Sequence, residues 1–212
     1  MTHRQITGRL LIATHNAGKL VEMRDLLSPY GIEAVSAGEM NLPEPDETGV
    51  TFMENARIKA HAGAAVSGLP AFADDSGLSV DALGGAPGIY SARWAGPSKD
   101  FKTAMQKVED ALQAKDATTA EKRGCRFVAA LCIAWPDGHT EEFEAHCPGT
   151  YIWPPRGDKG FGYDPAFLPE GHTKTFGELT REEKHGLPPL GPGLSHRARA
   201  FVQLAAACLK KP

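Results

Sequence analysis

Asp74 and Asp75 stand side by side between the apolar run Leu69-Pro70-Ala71-Phe72-Ala73 and Ser76-Gly77-Leu78-Ser79-Val80. On a strand, neighbouring side chains point to opposite faces, so both carboxylates cannot face one core. One can be held by local hydrogen bonds while the other projects into a cleft. There it can hold a hard cation or take a proton from water. Gly77 would let the backbone turn or let a ligand come close. The same letters also spell an ordinary Asp-Asp-Ser-Gly turn between two strands, because these are the commonest turn residues.

Other stretches could supply partners for such a carboxylate. Thr14-His15-Asn16-Ala17-Gly18-Lys19 follows the short apolar strand Leu10-Leu11-Ile12-Ala13 and precedes a helical pattern of Met23, Leu26 and Leu27 that stops before Pro29. Orphan amides and the helix dipole favour an anion there, and Lys19 adds a full charge. It is not a Walker A loop, because the first glycine and the Ser/Thr after the lysine are absent; a simple turn with a solvated lysine is the plainer reading. Residues 41–49 form a proline-broken acidic loop with Glu44, Asp46 and Glu47. Thr51 and Glu54 make a capping-box pattern for a helix continuing through Ala65. Phe52, Ala56, Lys59 and Ala60 fall near one side of it. A lysine among apolar neighbours needs an anionic partner or must snorkel.

Two late segments look chemical as well. Gly160-Phe161-Gly162-Tyr163-Asp164-Pro165-Ala166-Phe167 combines three aromatics with a carboxylate, which suits a stacked nucleobase and its N–H groups. An aromatic-cornered turn feeding the core is the alternative. Ser195-His196-Arg197 opens a helix through Phe201, Leu204, Ala205 and Cys208, gathering a hydroxyl, an imidazole and a guanidinium where amides already favour an anion. A serine cap with a solvated basic turn would look the same.

The remaining elements must position these residues. Ile32-Glu33-Ala34-Val35 reads as a second strand, and the glycine- and proline-rich residues 83–94 as an irregular loop. Residues 97–100 start a helix to Leu112 with Phe101, Met105, Val108 and Leu112 buried, followed by a polar surface connection over 115–122. Residues 126–135 and 140–147 are strands joined by the hairpin turn Pro136-Asp137-Gly138-His139. Phe143, Ala145 and Cys147 lie on one face of the return strand, and the hairpin reads as scaffold with no catalytic part. Residues 149–153 suggest a further strand, and residues 186–193 an exposed loop that cannot be helix or central strand.

A chain of 212 residues can bury one sizeable core, and a formal charge of −3 gives no electrostatic case for broad nucleic-acid or membrane binding. Cys125, Cys132, Cys147 and Cys208 show no metal or redox spacing. No signal peptide or bilayer-length apolar run is present, which points to the cytoplasm.

Taken together, the chain resembles the inosine triphosphate pyrophosphatases, the Ham1-like or RdgB-like non-canonical purine nucleotide pyrophosphatases. The likeness rests on residues 14–19, Glu47-Thr48-Gly49 with Phe52-Met53-Glu54-Asn55-Ala56, residues 73–78 and Gly84-Gly85-Ala86-Pro87-Gly88-Ile89-Tyr90-Ser91-Ala92-Arg93. It continues through Phe161-Gly162-Tyr163-Asp164-Pro165, residues 178–184 and Ser195-His196-Arg197. The resemblance implies an α/β fold: an elongated mixed sheet with flanking helices, one domain over residues 1–212 with two lobes around a central cleft. It implies a cytoplasmic homodimer that uses Mg2+ to convert ITP, dITP, XTP and dXTP to the monophosphate and pyrophosphate, with no direct nucleic-acid or membrane binding.

By position, the resemblance makes Thr14, His15, Asn16, Ala17, Gly18 and Lys19 triphosphate contacts, with Lys59 as a second phosphate cation. Asp75 would accept the proton of the attacking water and bind metal beside Asp74. Glu47 matches best as the other metal ligand, with Glu44 and Asp46 in the same loop as alternatives. Ser76 would touch substrate, and Phe161, Gly162, Tyr163, Asp164, Lys184, His196 and Arg197 would form the base pocket. The 6-keto group of hypoxanthine or xanthine would accept from Lys184, His196 or Arg197, whereas the adenine 6-amino group would leave those donors unmatched, at about 1–3 kcal/mol each. Two other functions remain open: a non-catalytic purine nucleotide sensor, and a related pyrophosphatase for modified pyrimidine nucleotides. The 186–193 stretch is longer than the family's usual connection.

Overall fold

The computed structural model describes residues 3–186 and 193–210. Its elements are β1 (Arg9–Ile12), α1 (Ala17–Leu27), β2 (Glu33–Ser36), α2 (Phe52–Ser67), β3 (Ala71–Val80), α3 (Ser91–Trp94), α4 (Phe101–Gln113), β4 (Gly124–Ala134), β5 (Thr140–Tyr151), β6 (Phe167–Pro169), α5 (Arg181–His185) and α6 (His196–Cys208). The strands form a six-stranded sheet in the order β2-β1-β3-β4-β5-β6. β1 runs parallel to β2 and β3, and β5 antiparallel to β6, so the sheet is mixed and the fold is α/β.

The chain divides into two compact units: Met1–Asp75, Ala129–Ala145 and Arg197–Pro212 form the first, and Ser76–Val128 with His146–His196 the second. In the first, strand parity sorts side chains into two cores. Leu10, Ile12, Phe72, Leu131 and Ile133 pack with Met23 and Leu27 of α1 and with Phe201 and Leu204 of α6. Their neighbours Leu11, Ala71, Ala73, Ala130 and Cys132 pack instead with Ala56, Ala60 and Ala64 of α2. Alanines at helical spacing let α2 lie close to the strands. Gly63 lies close too: a Cβ there would meet Leu11 Cδ2 at 2.8 Å and the Ala13 and Ala71 Cβ atoms at 3.3 Å. The Thr51–Glu54 capping box starts α2 as expected. The second unit has its own core, in which Leu78, Val80, Met105, Val108 and Leu112 pack with Phe127, Tyr151, Phe167 and Phe176.

Of the two readings of Asp74 and Asp75 the strand holds: both lie within one continuous ten-residue strand, and each has buried ionic partners that make its burial tolerable. Two local expectations are corrected. Residues 83–94 are not irregular throughout: they include a 3-10 turn, Gly88–Tyr90, and α3. Gly149 to Tyr151 continue β5 and pair with β6, so they add no separate strand. The 187–192 part of the expected exposed loop lies outside the described residues. Among the described residues no helix is long and apolar enough to cross a membrane.

Candidate active site

In the first unit, β3 presents Asp74 with the parity of Phe72, toward α1 and α6, and Asp75 with the parity of Ala73, toward α2. Each carboxylate therefore meets a different set of cations. Lys19 Nζ donates to Asp74 Oδ1 at 2.8 Å, and Arg197 Nε donates to Asp74 Oδ2 at 2.5 Å. Arg197 also donates through Nη1 to Glu22 of α1. On the α2 side, Lys59 Nζ donates to Asp75 Oδ1 at 2.7 Å, Glu47 Oε1 at 2.9 Å and the Asp74 backbone carbonyl at 3.0 Å. Asp74, Asp75, Lys59, Glu22 and Arg197 are all buried.

Burial sets the electrostatics of this cluster. It opposes ionisation of Asp74, but Arg197 and Lys19 outweigh it and hold that carboxyl far below the usual carboxylate range. Burial pushes Asp75 upward, Lys59 and Lys19 oppose it, and the Glu47 charge adds to the rise. Lys59 is held above its ordinary value because the charges of Asp75 and Glu47 exceed the effect of burial. Burial draws Lys19 downward. At Asp75 burial outweighs the neighbouring cations, whereas at Lys59 the two carboxylates outweigh burial. The oxygens that converge on Lys59 there are hard donors, a set suited to a divalent cation such as Mg2+.

The loop over residues 14–19 has the expected form. Asn16 caps α1 by accepting from Lys19 N, Thr14 Oγ1 accepts from Asn16 N, and the first turn of α1 holds no acidic residue. His15 Nε2 lies 3.0 Å from the Leu42 carbonyl oxygen. A hollow of about 80 Å³ is lined by His15, Leu42, Glu44, Lys59, Ala62 and Val66, among others.

The second unit holds another polar cluster. Asp164 Oδ2 accepts from Lys184 Nζ at 2.8 Å and from Phe161 N at 3.0 Å, with Asp164 and Lys184 both buried. Gly160, at φ +74°, is required here, since a Cβ would stand 2.1 Å from Asp164 Oδ2. A reciprocal Thr180–Glu183 box starts α5 and sets Lys184 in its last turn. Lys184 Nζ lies 5.6 Å from the Phe161 ring centroid and 5.8 Å from that of Phe176, within cation–π range. The His196 ring stacks on Phe127 with centroids 4.8 Å apart. Ser76 of β3 is half-buried. Of the three aromatics in residues 160–167, only Phe161 is exposed; Phe167 is buried, and Tyr163 gives its hydroxyl to the Ser91 carbonyl and its edge-on ring contact to Phe101.

The sequence profile of the Ham1 family matches residues 10–207. The chain belongs to the Ham1 family. This Ham1 chain is 70% identical over 207 residues to a protein of Rhodopseudomonas palustris named dITP/XTP pyrophosphatase, covering 98% of this chain and 99% of the relative. It is 69% identical over 208 residues to a Bradyrhizobium sp. (strain BTAi1) protein of the same name, covering 98% and 97%. Among solved structures it is similar to a HAM1 protein from Coxiella burnetii, with TM-score 0.83 and 37% identity over 94% of this chain and 98% of that one.

Within the Ham1 chain's first unit, the structure thus brings together Lys19, Glu47, Lys59, Asp74, Asp75 and Arg197. Arg197, which the resemblance assigns to the base, here donates to Asp74 and Glu22. Within the second unit it brings together Phe161, Asp164 and Lys184. Sequence reasoning missed Glu22 and Phe127. Glu22 stands one helical turn after Lys19, on the side of Met23 that packs inward, and a charge at that spacing was the available signal. Phe127 had none, being one apolar residue among many in β4.

Proposed function

We propose that this protein is a Mg2+-dependent nucleoside-triphosphate pyrophosphohydrolase acting on ITP, dITP, XTP and dXTP, and so keeping deaminated purines out of DNA and RNA. The observation that carries the reading is the Asp75–Lys59–Glu47 cluster, in which two carboxylates hold one buried ammonium beside an anion-ready helix start. Relatives about 70% identical to this chain are named dITP/XTP pyrophosphatase, which supports the substrate class.

Asp75 and Glu47 would hold the metal, which when bound neutralises polyphosphate charge and polarises the scissile anhydride. His15, Ala17 and Gly18 offer backbone amides to phosphate oxygens, Thr14 and Asn16 shape the loop that presents them, and Lys19 and Lys59 meet the remaining negative charge. Asp75, with a raised proton affinity, accepts the proton of the attacking water as the α–β phosphoanhydride breaks, releasing monophosphate and pyrophosphate. Asp74, held ionised by Arg197 and Lys19, keeps those cations in register. Ser76, Gly162 and Tyr163 shape the substrate's surroundings, while Phe161 stacks on the purine. Lys184, fixed by Asp164, donates to the 6-keto oxygen together with His196. Arg197 donates to Asp74 and Glu22 and is given no part in base recognition.

The same reading makes the whole chain one functional domain and the protein a cytoplasmic homodimer without direct nucleic-acid binding. Its four cysteines are buried thiols, which suits a reducing compartment. The deciding experiment is a substrate panel of ITP, dITP, XTP, ATP, GTP and modified pyrimidine triphosphates, assayed for pyrophosphate with Mg2+ and with EDTA. One pyrophosphate per inosine or xanthosine nucleotide, abolished by EDTA, is expected. Binding without turnover would make the protein a sensor, and turnover confined to pyrimidines would move it to the related pyrophosphatases.

A further inference from the structure

The first unit carries a second group of metal-capable side chains that has no part in the chemistry above. His3 Nδ1, a carboxylate oxygen of Glu141 and Cys208 Sγ all lie within 4.8 Å of one another. They come from three remote parts of the chain: the segment before β1, the start of β5 and the last residue of α6. His3 Nδ1 is 2.7 Å from Glu141 Oε2, and the other carboxylate oxygen, Oε1, is 3.0 Å from His139 Nε2 and accepts from Arg4 N at 3.1 Å. Cys208 is fully buried, Glu141 is 11% exposed at its side chain, and His3 is exposed. The group thus has a closed floor and an open mouth.

We infer that His3, Glu141 and Cys208, with His139 or a water in the fourth position, form a structural Zn2+ site. Sulfur, imidazole and carboxylate together are a borderline-soft donor set that suits Zn2+ and not Mg2+. Tetrahedral zinc with ligand bonds of about 2.0–2.3 Å places its donors roughly 3–4 Å apart, so the observed spread closes by shifts of about an ångström. Exposed His3 can make such a shift. One thiolate and one carboxylate balance the ion's charge, with both imidazoles neutral; the proton displaced from Cys208 Sγ leaves to solvent. Arg4 N already orients the carboxylate, as outer-shell donors do in metal sites. Arg4 itself is directed elsewhere, its guanidinium donating to Asp137 and lying 5.1 Å from the Trp135 ring centroid. Since Ile6 N donates to the Cys208 carbonyl and Gln5 Nε2 to the Ala207 carbonyl, zinc would fasten the segment before β1 and the last turn of α6 to the β4–β5 hairpin.

The test uses the tag-free full-length protein with Zn2+ or Co2+ in excess Mg2+. Competition against a chromophoric zinc chelator should show one Zn2+ per chain that Asp75→Asn retains. His3→Ala should weaken it at least tenfold while leaving ITP hydrolysis unchanged. Co2+ should give a near-ultraviolet thiolate charge-transfer band that Cys208→Ser removes. Zn2+ should raise the thermal midpoint of the wild type but not of His3→Ala. Absence of tight Zn2+, an affinity unchanged by His3→Ala, or wild-type Co2+ spectra without the thiolate band would each overturn the inference. The wild-type spectrum and exposed His3 keep it decidable should Cys208→Ser fail to fold.

Discussion

Lys59 Nζ lies 2.7 Å from Asp75 Oδ1, closer than to any other partner it has in the cluster, and Glu47 Oε1 follows at 2.9 Å. The ammonium therefore stands where two carboxylates converge. It keeps them from repelling each other, and a metal held there as proposed would have to displace it or share them with it.

Lys59→Met would leave Asp75 and Glu47 without that cation. Removing one member of a buried ion pair costs about 3–5 kcal/mol, so the variant should unfold earlier in EDTA. Mg2+ should recover part of the loss and bind tighter, without nucleotide, than it binds the wild type. Calorimetric titration with Mg2+ checks this; equal affinities would remove Lys59 from competition with the metal.

Asp75→Asn removes the proposed proton acceptor but preserves shape. Pyrophosphate release from ITP should fall by roughly 10²–10⁴-fold, with nucleotide affinity changed little. Fluorescence titration with a non-hydrolysable analogue measures the second quantity, and unaltered turnover would exclude Asp75 from the chemistry.

Asp74 has a folded-state pKa depressed below its ordinary 3.8. Its contribution to stability is thus fully present above about pH 4 and is lost as pH falls through the folded value. Urea midpoints of the wild type and Asp74→Asn should differ widely at pH 7 and converge progressively below pH 4. A gap that stays constant into acid would show that ionisation of Asp74 is not what stabilises the wild type.

Lys184→Met removes the donor held by Asp164. The preference for ITP over ATP in kcat/KM should fall by roughly tenfold or more, the equivalent of one buried donor at about 1–3 kcal/mol. Phosphate handling should persist, so activity toward ATP should hold or rise. A ratio that does not move would place base selection elsewhere.

Gly63→Ala tests how closely α2 approaches the strands. The new methyl would press on Leu11 Cδ2 and on Cβ atoms of Ala13 and Ala71. Overpacking of this kind costs about 1–3 kcal/mol, readable as a lowered denaturation midpoint. A midpoint at or above that of the wild type would mean α2 can shift outward freely.

Much of the architecture was legible because it depends on short-range geometry. The capping box at Thr51, the helix stop before Pro29 and the turn at residues 136–139 are each set by neighbours a few residues apart. The turn reading of residues 74–77 failed for the opposite reason. Those letters favour a turn when solvated, and only remote cations make two consecutive aspartates tolerable inside a strand. Tyr163 and Phe167 likewise read as stacking surfaces, and packing decided that they face a core.

Alternation along a strand is a property of the backbone, so once the stretch is a strand Asp74 and Asp75 must point apart. Sequence alone also showed that Lys59, among apolar neighbours on α2, needed an anion or a path to solvent. Which partner each residue would meet was decided only by tertiary structure. Arg197 reaches Asp74 across 123 positions, and Lys184 reaches Asp164 across 20. Such pairings follow from how whole helices settle against the strands, and no local spacing encodes that.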